Sequence, residues 1–345
     1  MKIFYSEAHR QHYPSFEVFD GGKRVQYFEN PDRMDRILAA LKKTDWANFC
    51  EPDDFGLDPI LAVHDRDYIN FLASCWDEWL DSDPEVAASP ETHAFLPATF
   101  ALRRTSRPTS SLRGRGGYYM MDLSACIVAG TYKAALASAN CAVSAAASIV
   151  QDQKSAFALC RPPGHHAGKD YAGGYCFINN ASVAANWLCA KGKTALLDID
   201  YHAGNGTQDI FYERSDVLTI SIHGNPDFEY PHYIGFADET GAGAGAGFHK
   251  NYPLPKDTGD EGYLSALDDA LKMIRGFAPE YLVVSAGMDT FDVDPLAIFH
   301  VTREGFREIG KRIASLNLPT AIIMEGGYAN EALGENTRTL LENFK

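Results

Sequence analysis

The chain has no excess of positive charge, no Cys-x-x-Cys pair and no long run of strongly apolar residues. Its formal net charge is −15 at pH 7, so nucleic acids and anionic membrane surfaces would be repelled. The same charge suits a cationic substrate, but simple solubility is the favoured explanation for it. The longest weakly polar stretch, 133–150, is rich in alanine, which predicts a closely packed helix of a globular protein rather than a membrane span.

The cysteines indicate the cellular compartment. There are seven of them, an odd number, and their spacing is not that of a thiolate zinc site. They therefore predict free thiols in a reducing environment. The N-terminal residues Met-Lys-Ile-Phe-Tyr begin a strand-like alternation and lack the apolar core of a signal peptide. These features together predict a cytoplasmic protein.

Short apolar runs alternate with helical patterns along most of the chain. The runs lie at 155–160, 194–200, 217–223, 281–287 and 320–325, and helical patterns follow Pro31 and Asp65 and occupy about 178–190, 261–276, 302–316 and 330–343. This alternation predicts crossover units and a parallel sheet that is covered on both faces. With no visible linker, the 345 residues are expected to form one three-layer α/β domain with a central, mostly parallel sheet flanked by helices.

Two segments lack this periodicity. Residues 80–118 are rich in Pro, Ser, Thr and Arg, and an irregular inserted loop of this size is typically functional or part of an interface. The glycine–alanine repeat at 241–247 has neither the Lys-Ser/Thr ending nor the strand-to-helix context of a phosphate-binding loop. We expect the first segment, and not the second, to contribute to function.

The end of the apolar run at 194–200 carries the strongest chemical signal. Side chains alternate along a strand, so Asp198, Asp200 and His202 point the same way, and grouping them on one face is costly without a cation. Asp289 follows a later strand, and Asp200, His202 and Asp289 form a three-ligand set that leaves one coordination position open. Oxygen and nitrogen ligands fit Zn²⁺, but also Fe²⁺, Co²⁺ or Mn²⁺.

Reactive side chains follow other strands at the same edge of the predicted sheet. His165 and His166 are adjacent and predict a proton-transfer pair, in which one imidazole takes a proton from water and the other tunes the site. Asp198 is expected to accept a hydrogen bond from one imidazole and Asn205 from the other. Tyr328 follows two glycines and is expected to donate to the oxyanion that forms when water attacks a carbonyl.

The motifs closely resemble those of histone-deacetylase-like amidohydrolases of the arginase/deacetylase superfamily. They are Arg161-Pro-Pro-Gly-His-His-Ala, Gly173-Gly-Tyr-Cys-Phe-Ile-Asn-Asn, Asp198-x-Asp-x-His, Gly204-Asn-Gly-Thr-Gln, Asp289-Thr-Phe-x-x-Asp-Pro and Glu325-Gly-Gly-Tyr. Phe211-Tyr-Glu-Arg, the Glu-Gly-Gly-Tyr ending and the segment 80–118 make the chain most similar to bacterial acetylpolyamine amidohydrolases.

The resemblance implies an arginase/deacetylase fold and a role for each site residue. It implies zinc at Asp200, His202 and Asp289, and His166 as general base and then general acid. It also implies that His165 is the electrostatic partner held by Asp198, and that Tyr328 polarises the amide carbonyl. The implied pocket wall consists of Tyr175, Tyr230, Gly174 and Gly326.

The resemblance further implies structural potassium ions. It also implies that the segment 80–118 narrows the pocket mouth and helps to build a homodimer. The ion beside the zinc is expected to use Asp198, Asp200, His202, Ser221 and the carbonyl of Ile222. The second ion is expected near Phe211, Arg214, Val217 and His249.

The chain departs from the family pattern at two places. Ala203 stands where the family has a second histidine after the zinc-binding one. The segment 113–124 has arginines and serine where polyamine deacetylases have glutamates that hold a distal ammonium group. Asp122, Glu91 and Glu229 are the acids that remain as candidates for that role.

We therefore predict a metal-dependent amidohydrolase that removes acetyl groups from small cationic amines such as acetylputrescine and acetylcadaverine. Acetyl-lysine in proteins or peptides is the alternative substrate. Two other classes stay open. One is a magnesium phosphohydrolase, because Asp-x-Asp after a strand is also a phosphoryl-transfer signature. The other is a catalytically weak, metal-binding relative that acts by protein interaction, which Ala203 makes conceivable.

Overall fold

Parallel strands form the centre of the protein. The computed structural model describes residues 1–19, 22–103, 105–151 and 154–345. Its strands are β1 (Lys2–Phe4), β2 (Glu17–Phe19), β3 (Lys23–Val25), β4 (Asn48–Cys50), β5 (Ser155–Ala158), β6 (Thr194–Asp198), β7 (Val217–Gly224), β8 (His249–Leu254), β9 (Tyr281–Ala286) and β10 (Thr320–Met324). Within the described ranges, eight of them form one sheet in the order β4-β1-β5-β10-β9-β6-β7-β8, and every neighbouring pair is parallel.

Helices connect these strands and cover the sheet. They are α1 (Asp32–Leu41), α2 (Asp58–Leu61), α3 (Arg66–Ser82), α4 (Pro84–Ala88), α5 (Leu112–Tyr119), α6 (Thr131–Val150), α7 (Asn180–Cys189), α8 (Asn205–Phe211), α9 (Asp260–Phe277), α10 (Arg303–Ala314) and α11 (Asn330–Leu341). Short 3-10 helices lie at 7–11, 90–92, 243–245 and 342–344.

The sheet is buried on both faces because successive side chains of its strands alternate between two apolar layers. Leu197 and Val284 belong to the cluster that α1, α9, α10 and α11 cover, whereas Leu196 and Val283 pack towards α6 and α7. This two-sided burial explains why the strands read as continuous apolar runs. The predicted three-layer α/β fold with a parallel sheet is confirmed.

The strand order brings the chemically important loops together. Strands β5, β10, β9 and β6 are consecutive neighbours in the sheet, and Met324 pairs with Ala286 while Asp198 pairs with Ser285. Because these strands are parallel, their carboxyl ends lie at one edge, and the loops that follow them meet there.

The prediction of an irregular loop at 80–118 is wrong in part. Residue 104 of this segment lies outside the described residues. Helix α3 reaches Ser82, and α4 and α5 occupy further stretches of the segment. Asp83 caps α4, because its carboxylate accepts a hydrogen bond from the backbone N–H of Glu85 at 3.1 Å. Helix α5 was not predicted because its glycines have low helix propensity. Close packing requires at least one of them, since a Cβ at Gly117 would lie 2.0 Å from the carbonyl oxygen of Thr99.

Helix α6 has the length and composition of a membrane span, but its surroundings are those of a core helix. Of its most apolar 18-residue window, 67% is buried inside the protein. Cys141, Ala142 and Ala145 lie in the apolar layer between α6 and the sheet. The packed helix that the sequence predicts from the alanine-rich stretch is therefore found.

A buried histidine connects two loops near the edge of the sheet. His64 is 2% exposed, and its Nδ1 lies 2.9 Å from the carbonyl oxygen of Gly168 while its Nε2 accepts a hydrogen bond from the backbone N–H of Asn179 at 2.9 Å. These bonds require the neutral imidazole. Burial lowers the pKa of His64 to about 4, and the hydrogen bond to Gly168 acts in the opposite direction.

We expect acid to destabilise the fold through His64. In the unfolded chain this histidine binds a proton below about pH 6.5, whereas in the folded protein it stays neutral down to about pH 4. Acidification therefore favours the unfolded state. The contribution is about 2 kcal/mol between pH 7 and pH 5. Urea unfolding at both pH values measures it, and His64→Gln should reduce the difference while His232→Gln, at an exposed site, should not. An identical pH difference in His64→Gln would contradict the assignment.

Candidate active site

Three side chains meet beyond the carboxyl ends of β6 and β9. Asp200 and His202 follow β6, Asp289 follows β9, and one possible ligand atom from each lies within 4.8 Å of the other two. The Nδ1 atom of His202 is 3.3 Å from Oδ1 of Asp200 and 3.3 Å from Oδ2 of Asp289. The structure thus brings together the three ligands predicted from the sequence.

The surroundings of these side chains fit a divalent cation. Asp289 Oδ2 is buried and receives no well-formed hydrogen bond from the described residues, although His202 is close. Burial and the charge of Asp200 raise the pKa of Asp289 to about 6, so the carboxylate is electrostatically undercompensated. A Cβ at Gly287 would lie 2.0 Å from Asp200 Oδ2, and one at Gly326 would lie 2.4 Å from Asp289 Oδ2. Because Gly287 and Gly326 have no side chains, the backbone leaves room for the two carboxylates. The two acids and one imidazole can therefore hold a metal ion between them.

His165 and Asp198 form a buried charged pair next to the ligands. His165 Nδ1 lies 3.0 Å from Asp198 Oδ2, and Nε2 lies 3.6 Å from Asp200 Oδ1. Burial lowers the pKa of His165, but the charges of Asp200 and Asp198 outweigh it and raise the pKa to about 10. Glu325 fixes the adjoining backbone, because its Oε2 accepts hydrogen bonds from the N–H groups of Gly164 at 2.6 Å and of His165 at 3.2 Å. His165 is therefore a positive charge at neutral pH.

His166 has the opposite electrostatic environment. Its Nδ1 lies 2.6 Å from Oδ1 of Asn205, which can only accept, so Nδ1 carries the hydrogen and Nε2 is left with a free lone pair. Burial, together with the positive charge of the neighbouring His165, lowers the pKa of His166 well below its usual value. The two adjacent imidazoles thus differ in protonation because one faces a carboxylate and the other an amide. Both hydrogen bonds are those that the sequence predicts.

Tyr328 reaches the cavity from the loop after β10. Asp294 holds this loop, because its Oδ2 accepts hydrogen bonds from the N–H groups of Tyr328 at 2.6 Å and Ala329 at 2.9 Å. The guanidinium of Arg33 donates to the carbonyl oxygen of Gly327 at 2.7 Å and lies 4.8 Å from the centre of the Tyr328 ring. Burial raises the pKa of the phenol, and the charge of Arg33 acts in the opposite direction, so the hydroxyl is protonated at neutral pH.

These groups lie at the base of a cavity of about 570 Å³. All four predicted wall residues, Tyr175, Tyr230, Gly174 and Gly326, line it. A Cβ at Gly174 would lie 2.2 Å from the His166 ring, and the Tyr230 ring stands perpendicular to that of His166 at 4.9 Å. The lining residues that the sequence did not indicate include Val18, Phe19, Phe100, Phe228, His232 and Leu296. Phe100 lies in the segment 80–118, which therefore contributes to the cavity.

Residues from the N-terminal part of the chain support the site without any motif to mark them. Glu17 accepts a hydrogen bond from the hydroxyl of Tyr175 at 2.8 Å, and Arg33 is held by Glu29 at 2.6 Å. Nothing in the local sequence around these residues indicates such a role. Asp294 differs, because it lies in the motif Asp289-Thr-Phe-x-x-Asp-Pro. Its position in this motif could have indicated a role at the site.

The residues predicted for potassium lie in two regions. Asp198 pairs with Ser221 across β6 and β7, beside Asp200, His202 and Ile222. In the second region, the Arg214 guanidinium lies 4.9 Å from the Phe211 ring, and His249 pairs with Thr219 two residues beyond Val217. Ala203 is buried under the site, where a Cβ at Gly235 would lie 2.8 Å from its side chain.

Comparisons with known proteins agree with this geometry. The family profile of the histone deacetylase domain matches residues 27–344. Acetylpolyamine amidohydrolase 1 of Pseudomonas aeruginosa is 46% identical over all of this chain and 99% of its own length. The acetylpolyamine amidohydrolase of Mycoplana ramosa is 44% identical over 99% of each chain.

A solved structure extends the similarity to three dimensions. The crystal structure of acetylpolyamine aminohydrolase from Burkholderia pseudomallei superposes with a TM-score of 0.94 at 39% identity, covering 100% of this chain and 98% of that one. The resemblance predicted from the motifs is confirmed, and the chain belongs to the histone deacetylase domain family.

Proposed function

We propose that this protein is a zinc-dependent deacetylase of acetylated polyamines and diamines. The observation that carries the proposal is the arrangement at the base of the cavity, where a three-ligand cluster faces a neutral histidine and a phenol. The names of the full-length relatives support the substrate class. The donor set supports zinc, although Fe²⁺, Co²⁺ or Mn²⁺ would accept the same ligands.

The histidines are placed for proton transfer. A divalent cation at Asp200, His202 and Asp289 supplies Lewis acidity, which polarises a carbonyl group and makes water easier to deprotonate. His166 is neutral, so its Nε2 lone pair takes a proton from the attacking water, and Asn205 stabilises the imidazolium that results. His166 then returns this proton to the nitrogen of the departing amine.

The other two groups stabilise charge. Tyr328 donates a hydrogen bond from its hydroxyl to the oxygen of the acetyl carbonyl as negative charge develops there. His165 keeps its proton between Asp198 and Asp200, and its fixed positive charge keeps His166 neutral before the reaction. The two imidazoles therefore have separate tasks.

The cavity wall contains carboxylates, which favour a cationic substrate. Asp122 and Glu229 line the cavity, and each is partly engaged, since Asp122 accepts a hydrogen bond from the Tyr230 hydroxyl at 2.6 Å and Glu229 one from Tyr201 at 2.6 Å. We propose these carboxylates as partners of the distal ammonium group. Glu91 is not among the lining residues in the described part of the chain, so it is the weakest of the three candidates.

Three further proposals concern the state of the protein. We propose potassium ions at the two regions that contain Asp198 and His249, and a homodimer in which the segment 80–118 takes part. We also propose a cytoplasmic location, because all seven cysteines, each within the described ranges, are free thiols.

A turnover panel tests the proposed function. The purified protein, stripped of metal and reloaded with Zn²⁺, Fe²⁺, Co²⁺ or Mn²⁺, is assayed with acetylputrescine, acetylcadaverine, acetylspermidine and an acetyl-lysine peptide. We expect acetate release from the diamines at a kcat/KM about tenfold or more above that for the peptide, and a chelator should abolish it. The tenfold margin corresponds to one charge-assisted contact with the distal ammonium group.

Other outcomes of the panel are informative. Preference for the acetyl-lysine peptide would replace the proposed substrate but keep deacetylation. Metal binding without hydrolysis of any acetylated amine would favour a non-catalytic relative, and phosphatase activity on a generic phosphomonoester would favour the phosphohydrolase.

A further inference from the structure

The amide of Asn205 can face His166 in only one orientation. Its Nδ2 lies 3.4 Å from the backbone carbonyl oxygen of His166 and 3.3 Å from the hydroxyl of Tyr171. A carbonyl only accepts hydrogen bonds, so the NH₂ group must be on this side and Oδ1 must face His166 Nδ1. The orientation of Asn205 therefore selects the imidazole tautomer that His166 needs as a base.

Tyr171 is held firmly against the backbone that follows His166. A Cβ at Gly168 would lie 2.2 Å from the Tyr171 ring, and the Gly168 N–H donates to the Tyr171 carbonyl oxygen at 3.0 Å. Burial raises the pKa of the Tyr171 hydroxyl, so it is protonated at neutral pH. Neither Tyr171 nor Asn205 lines the cavity among the described residues, so Tyr171 does not contact substrate there.

The segment 80–118 supplies a cation that covers this tyrosine. The Arg103 guanidinium lies 5.2 Å from the centre of the Tyr171 ring and 4.8 Å from that of Tyr118. It pairs with the carboxylate of Asp170 and donates to the Asp170 carbonyl oxygen at 3.0 Å. Arg103, Tyr171, Asn205 and His166 thus form a continuous series of contacts from the inserted segment to the histidine.

We propose that Tyr171 is a positioning residue for deacetylation, which acts through Asn205 to hold His166 in its Nδ1–H tautomer. This inference rests on the proposed function for its kinetic consequences. Arg103 fixes the ring of Tyr171, so the segment 80–118 contributes to the alignment of the base in addition to lining the cavity.

The kinetic test removes one oxygen atom. Tyr171→Phe keeps the ring but deletes the acceptor, and we expect kcat to fall about 3- to 10-fold, the effect of one neutral hydrogen bond, with KM changed by less than about 2-fold. Tyr118→Phe is the matched control, because its ring lies under the same guanidinium, and it should leave kcat and KM unchanged. Arg103→Ala should also lower kcat, but by less than Tyr171→Phe does.

A double-mutant cycle separates positioning from general loosening of the fold. In an Asn205→Ala background, Tyr171→Phe should cause no further loss of kcat, because the group through which it acts is gone. An equal loss in both backgrounds would show that Tyr171 acts on the structure and not through Asn205, which would overturn the proposal.

A spectroscopic arm does not depend on turnover. Imidazole ¹⁵N NMR of the purified protein, with His166→Ala to identify the signal, should show protonation at Nδ1 of His166. Tyr171→Phe should shift that resonance or broaden it by tautomer exchange, and Tyr118→Phe should not. An unchanged resonance in Tyr171→Phe would contradict the proposal. Absence of turnover in the unmodified protein, with the resonance shift present, would instead contradict the proposed function alone.

Discussion

Replacing His166 by alanine is expected to lower kcat about 10²- to 10⁴-fold, the range for loss of a positioned general base. The reason is its environment: burial and the positive charge of His165 lower the pKa of His166, so a free imidazole lone pair faces the cavity at neutral pH. The variant should keep its metal, because the ligand cluster consists of Asp200, His202 and Asp289. Steady-state acetate release and metal analysis of the same preparation measure both effects.

The matched control is His300→Ala, which removes an exposed histidine that pairs with Asp292 and Asp257. It should leave turnover and metal content unchanged. Wild-type turnover in His166→Ala would remove this histidine from its assigned role. Loss of turnover together with loss of metal would show that His166 is needed to assemble the site, and the base would have to be sought elsewhere.

The parts of the site that could be predicted are those encoded by strand ends. Asp198, Asp200 and His202 share one face because of strand periodicity, and parallel strands bring Asp289 and Tyr328 to the same edge. These inferences need only local spacing and one topological rule. The hydrogen bonds of His165 and His166 to Asp198 and Asn205 followed from the same arrangement.

The parts that could not be predicted depend on contacts between distant segments. Arg33 donates to the carbonyl oxygen of Gly327, 294 residues away, and no local pattern encodes that contact. Edge strands were missed for a different reason: β8 contains Lys250, Asn251 and Pro253, and an edge strand is not required to be apolar. The short helix α5 was obscured by glycines that close packing requires.

Replacing Tyr328 by phenylalanine is expected to lower kcat about 10²- to 10³-fold, the effect of removing one oxyanion donor. The Phe ring keeps the contacts with Arg33 and with Tyr175, whose ring centre lies 5.7 Å away, so the loop should keep its shape. Because the hydroxyl bonds most strongly to the oxygen as charge develops, kcat should fall far more than KM rises. Acetate release as a function of acetylputrescine concentration separates the two constants.

The comparison variant is Tyr13→Phe, at a side chain that is 54% exposed and outside the cavity lining of the described chain. It should behave as the unmodified protein. A Tyr328→Phe enzyme with a raised KM and an unchanged kcat would mean that the hydroxyl binds substrate and transition state equally. Oxyanion stabilisation would then have to come from the metal site alone. The Glu-Gly-Gly-Tyr loop, held in place by Arg33 and Asp294, would serve only to bind substrate.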